Sequence, residues 1–120
     1  PAIDPFYFSP VKLFEYLASG TAVVATAIGQ QATVLCDGEN GCLVAPGDVD
    51  GVTERLAALV QDPILRARLG VAARATVLEG FTWTHNAERI AALCAAAVHA
   101  RRRGGRVVDV ATLAAAATQR

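Results

Sequence analysis

Lys12 and Glu15, three residues apart, are the side chains near the start of this 120-residue chain whose types suit a defined chemistry. The ammonium of Lys12 suits phosphate. Glu15 is acceptor-only when ionised, so it repels phosphate, but it can take two hydrogen bonds from the adjacent hydroxyls of a ribose or hexose. Ser9 is a good N-cap and Pro10 suits the first helical position, so a helix is expected to begin there. Its mouth gathers backbone N–H groups and the positive end of a helix dipole, a setting suited to phosphate. Glu15 lies about one and a half turns further in. Phosphate at the helix start with sugar beside Glu15 would make a nucleotide or nucleotide-sugar pocket; a capped helix with one Glu is also a common structural feature.

The rest of the chain must hold this stretch in place. Gly20 suits the left-handed turn that closes a helix, and Thr21 to Thr26 reads as a strand buried on both faces. Phe6, Tyr7 and Phe8, ahead of the helix, either stack on a ligand or staple the helix entry. Ala27-Ile28-Gly29 is a strand-to-helix loop, Gln30 to Leu35 a short helix, Asp37-Gly38 and Asn40-Gly41 turns, and Cys42 to Val44 a short strand. Asp48 caps a helix that presents Val52, Leu56, Leu59 and Val60 inward, with Glu54 and Arg55 outward. Asp62-Pro63 opens another, running to Glu79 with Gly80 as its stop; Leu65, Leu69, Ala72 and Ala73 face in and Arg66, Arg68 and Arg74 face water. Trp83 reads as a packing anchor before a helix over 84–102 that turns Ile90, Leu93, Cys94 and Ala97 inward. His85 and His99 read as bystanders. Residues 104–120 read as an Ala-rich tail or a short last helix.

The length allows one domain at most, and a hydrophobic fraction of 53% is ample for a core. The net charge of zero gives no reason to expect a nucleic-acid partner. Cys36, Cys42 and Cys94 lack metal or disulfide spacing and read as reduced thiols in a cytoplasmic protein. The Arg101 to Arg106 cluster reads as a solvated helix end, or as a peripheral contact with the inner face of a membrane. The alternation of strands and helices predicts α/β with a parallel sheet, yet two strands are too few, so further strands are expected upstream. The missing initiator Met agrees with that expectation.

The series Ser9-Pro-Val-Lys-Leu-Phe-Glu15-Tyr-Leu-Ala-Ser-Gly-Thr-Ala-Val-Val-Ala25, Gly29, Asp37-Gly-Glu-Asn-Gly-Cys-Leu-Val44, Pro46-Gly-Asp48, Asp62-Pro63, Leu69-Gly70 and Phe81-Thr-Trp83 resembles the C-terminal half of retaining GT-B-fold glycosyltransferases of the "glycosyl transferases group 1" type. The resemblance implies a partial Rossmann-like fold over 1–103 and transfer of a sugar, with retention, from a UDP- or GDP-sugar to an unknown acceptor. It implies no cofactor or metal. By the same resemblance Glu15 holds the ribose hydroxyls, and the backbone of Ser9, Pro10, Val11, Lys12 and Leu13 meets the diphosphate and donor sugar. The family's first glutamate would fall at Tyr7, a departure that leaves that role unassigned, with Tyr7 and Phe8 as candidates for contact with the donor sugar. The family's phosphate-binding Arg/Lys pair and acceptor domain would lie upstream, so the chain alone is expected to be inactive without an N-terminal domain or partner chain. A non-catalytic remnant that serves as a binding module, and a sugar-nucleotide epimerase on the same fold, are the alternatives.

Overall fold

A Schellman turn joins the first helix to the first strand. In a computed structural model, which describes residues 10–102, α1 (Val11–Ala18) ends at Ser19. Gly20 takes φ +74°, and the amides of Gly20 and Thr21 reach back to the carbonyls of Leu17 and Tyr16 at 3.0 and 3.1 Å. That positive φ is the reason for glycine there, as the sequence predicts. The start differs by one residue: Pro10 occupies the cap position rather than the first helical one. The expectations for Tyr7, Phe8 and Ser9, and for 104–120, lie outside the described residues.

The chain then runs through β1 (Val24–Thr26), α2 (Gly29–Val34), β2 (Cys42–Val44), α3 (Val49–Gln61) and α4 (Pro63–Gly80). The strands pair in parallel, Val24 with Cys42, Ala25 with Leu43 and Thr26 with Val44. β1 is shorter than the expected 21–26, and its residues are half-buried rather than covered on both faces. Among the described residues it has a neighbour on one edge, which leaves the other edge open.

Side chains alternate across this ribbon, as strand geometry requires. Val23, Ala25 and Leu43 join Leu13, Leu17, Val34, Leu35, Ala73 and Val77 in one cluster. Ala22, Val24 and Cys42 join Leu59, Leu65 and Leu69 in the other. α4 serves both, with Leu69 in one and Ala73 and Val77 in the other. Gly70 lies between them, where the helix passes the α1–β1 turn; a Cβ on it would stand 2.1 Å from the Gly20 carbonyl oxygen. The Leu69-Gly70 pair is therefore a close-approach signal.

Caps fix the helix ends. Asp48 accepts from the Gly51 amide at 2.8 Å, and Asp62 accepts from the amides of Ile64 and Leu65, both at 2.9 Å. Two arginines expected only to face water do more. Arg66 donates to the carbonyls of Leu59 and Val60 at the end of α3, and Arg74 donates to that of Ala18 at the end of α1. Both satisfy carbonyls that a helix terminus leaves unpaired. α3 also departs from expectation, because Leu59 alone of its four apolar residues is buried while Leu56 and Val60 are exposed.

A second unit begins at Thr82 and contains α5 (Trp83–Arg102). Thr82 caps it: its hydroxyl pairs with His85 Nδ1 at 2.7 Å and accepts from the His85 amide at 3.3 Å. Trp83 is 85% exposed and does not act as a packing anchor; Ile90 and Cys94 are likewise exposed, contrary to expectation.

The close approach at Gly70 predicts that Gly70→Ala destabilises the fold by about 1–3 kcal/mol, the usual cost of overpacking against backbone. Chemical denaturation of the variant should show a lowered midpoint.

Candidate functional site

α1 turns its two faces to different tasks. Leu13 and Leu17, one turn apart, are buried, and burying each side chain contributes roughly 1.5–3 kcal/mol. Phe14 packs beside them against Phe81, ring centroids 5.1 Å apart. With that face committed to the core, Lys12 and Glu15 are held outward, where Lys12 Nζ donates to Glu15 Oε2 at 2.8 Å. The Glu15 carboxylate is not sealed in the core. Its hydrogen bond to Lys12, reinforced by its charge, raises the Lys12 pKa above the ordinary 10.5. A raised folded-state value means that whatever the pair contributes to stability is complete at neutral pH; it fades as the pH climbs past 10.5.

The remaining predicted residues sort by role. Pro10 is buried and its carbonyl accepts from the Leu13 amide at 2.9 Å, while the Leu13 side chain is buried in the core. Val11 and Lys12 supply the first-turn amides, where a helix lacks intrahelical acceptors. Because α1 leads through the Gly20 turn into β1, its mouth lies toward the carboxyl end of β1, where α2 begins. In open α/β sheets ligands bind outside that edge. Gln31, on the face of α2 shared with Val34, has a buried Oε1 with no hydrogen-bond partner among the described residues. The sequence reading gave it no role.

Other chemistry-bearing residues are structural. Asn40, read only as a turn residue, is buried: its Oδ1 accepts from the Cys36 amide at 2.7 Å, and its Nδ2 donates to the Val34 carbonyl at 3.1 Å and to Thr76 Oγ1 at 2.9 Å. Asp37 accepts from the Leu43 amide at 2.9 Å and from Arg55 at 2.8 Å, which turns Arg55 toward the 36–41 loop. Burial raises the Cys42 thiol pKa above its ordinary 9.0, so it stays protonated at neutral pH and is no nucleophile. Asp48-Val49-Asp50 has an Asp-x-Asp spacing, but Asp48 is used as the α3 cap.

This parallel βαβ ribbon with a helix mouth at its carboxyl edge is the C-terminal domain architecture of GT-B glycosyltransferases. Sucrose-phosphate synthase from Thermosynechococcus elongatus superposes with a TM-score of 0.72 at 29% identity, over 78% of this chain and 23% of that one. The C-terminal domain of a glycosyl transferase group 1 family protein from Francisella tularensis gives 0.55 at 30% identity, over 58% of this chain and 36% of that one.

A family model described as glycosyl transferases group 1 matches residues 9–76, more than half of the chain, and the chain belongs to that family. It is 37% identical to alpha-maltose-1-phosphate synthase of Mycolicibacterium smegmatis over 95 residues, 72% of this chain and 24% of that protein. It is 39% identical to phosphatidyl-myo-inositol mannosyltransferase of Mycobacterium leprae over 80 residues, 67% of this chain and 21% of that protein. The chain thus spans less than a quarter of the length of these relatives.

Two substitutions separate the structural loop from the outward face of α1. Asn40→Ala should cost about 1–3 kcal/mol by leaving its buried partners unpaired, whereas Glu15→Ala should leave the urea unfolding midpoint unchanged. Parallel denaturation curves check both.

Proposed function

We propose that the mouth of α1 binds the diphosphate of a nucleotide-sugar and that Glu15 holds the ribose hydroxyls, so that the intact protein transfers a hexosyl group with retention. The observation that carries this reading is the outward Lys12–Glu15 pair on the first turns of α1. In that pair each charge already has a partner, and both can be redirected. Lys12 would swing to phosphate, releasing Glu15 to accept from two adjacent hydroxyls, the one arrangement in which both side chains face groups of matching chemistry.

Sugar transfer from a diphosphate needs charge stabilised on the departing phosphate, and amide donors at a helix N-terminus supply this without reorganising. α1 provides that element, while the acceptor and the donor base would be bound by parts outside this chain. Two relatives support a hexosyl donor by their names, the mannosyltransferase above and a GDP-mannose-dependent mannosyltransferase of Mycolicibacterium smegmatis, 34% identical over 91 residues. On this reading the donor is a substrate and the chain alone is inactive.

Calorimetric titration of UDP and GDP into the intact protein tests the assignment. Glu15→Ala should weaken the nucleotide that binds wild type by about tenfold to a hundredfold, equivalent to ~1–3 kcal/mol for hydrogen bonds to a charged group. Unchanged affinity would remove Glu15 from the site.

A further inference from the structure

Thr82 and His85 satisfy each other in a reciprocal cap at the start of α5. The Thr82 carbonyl accepts from the Asn86 amide at 3.1 Å, the first bond of the helix, which makes Thr82 the cap residue and His85 the third helical position. Thr82 Oγ1 accepts from the His85 amide at 3.3 Å, while His85 Nδ1 faces the Thr82 amide at 3.4 Å and the Thr82 hydroxyl at 2.7 Å. Glutamate or glutamine ordinarily fills the third position of such a capping box. Here an imidazole does. A backbone N–H can only donate, so Nδ1 is the acceptor and the proton of the neutral ring belongs on Nε2. From the sequence alone His85 reads as a bystander.

An imidazole in this position makes the cap sensitive to protons, because histidine is the side chain whose ordinary charge change falls between pH 5 and 8. On protonation Nδ1 becomes a donor. The hydroxyl contact can reverse, since Thr82 Oγ1 is able to accept; the amide contact cannot, and the Thr82 N–H loses its acceptor. The new charge also stands at the positive end of the α5 dipole. Both imidazole partners among the described residues are on Thr82. Glu88 and Arg89, three and four positions further on the same side of α5, carry opposite charges, and Glu79 in α4 is the nearest ionisable residue ahead of the cap. We propose that the Thr82–His85 cap is a proton-sensitive joint: neutral His85 holds the first turn of α5 closed, and protonated His85 lets it fray. Its place in the chain gives the fraying a consequence. The two units divide between Phe81 and Thr82, and only residues 81 and 82 separate α4 from α5. Releasing one turn lengthens that joint to about five or six residues. The joint lies wholly ahead of and within α5 and does not depend on the donor-site reading.

Hydrogen–deuterium exchange of the intact protein at about pH 8 and about pH 5, the two ends of the histidine range, tests the assignment on the peptide covering Thr82 to Asn86. With rates corrected for the intrinsic pH dependence of exchange, protection in wild type should fall about threefold to tenfold at the lower pH, as for the loss of a helix cap. His85→Gln keeps a side-chain acceptor that does not titrate, so its protection should be equal at both pH values. His85→Ala should show the low protection at both. Nitrogen NMR of the neutral His85 ring should give the Nε2–H tautomer. Wild-type protection that does not change with pH, a fall of the same size in His85→Gln, wild-type protection retained in His85→Ala, or an Nδ1–H tautomer overturns the proposal.

Discussion

The contact on which the rest of this structure depends is the approach of α4 to the turn that closes α1. With no side chain at position 70, the helix can lie against the Gly20 carbonyl, a separation that any Cβ would forbid. From that point α4 sends Leu69 to one face of the ribbon and Ala73 and Val77 to the other, so one helix seals both clusters. Arg74 then satisfies the last carbonyl of α1. Anchored at its carboxyl end by the turn and along its length by Leu13 and Leu17, α1 has its outward face and its mouth fixed by packing far from any ligand.

This division of labour explains why the most polar buried group is not in the proposed site. Asn40 and Asp37 tie the 36–41 loop to α2, β2, α3 and α4, and Asn40 does so from a buried position. Lys12 and Glu15, by contrast, hold one another at the surface and can be exchanged for other partners at little structural cost. A positioned helix with replaceable side-chain contacts at its entrance is what a binding site requires, while a loop tied down by a buried side chain is what a rigid scaffold requires.

The sequence made legible whatever local chemistry controls. Gly20, Asp48 and Asp62 mark helix ends through backbone conformation and capping, and Cys42 to Val44 is bracketed by turn residues; these elements lie where local rules place them. Its limits came from contacts distant in sequence. Asn40 looks like a turn residue because its partner Thr76 is thirty-six positions away, and Arg66 and Arg74 look like solvated charges because the carbonyls they cap belong to the preceding helix and to α1. Helical spacing made Val60 look inward, but periodicity names a face without saying that another element covers it, and the size of Trp83 made it look like an anchor on no such pattern. Lys12 and Glu15 were legible as a candidate pair, because both are polar residues on a helix whose other face is strictly apolar.

The central claim is that the first turn of α1 grips a diphosphate, and hydrogen–deuterium exchange of the intact protein with and without saturating UDP or GDP tests it most directly. The account predicts slowed amide exchange concentrated in the peptide that covers Val11 to Glu15, with the 36–41 loop unchanged. Protection elsewhere in the chain with no change over Val11 to Glu15, under conditions where calorimetry shows the nucleotide bound, would contradict it.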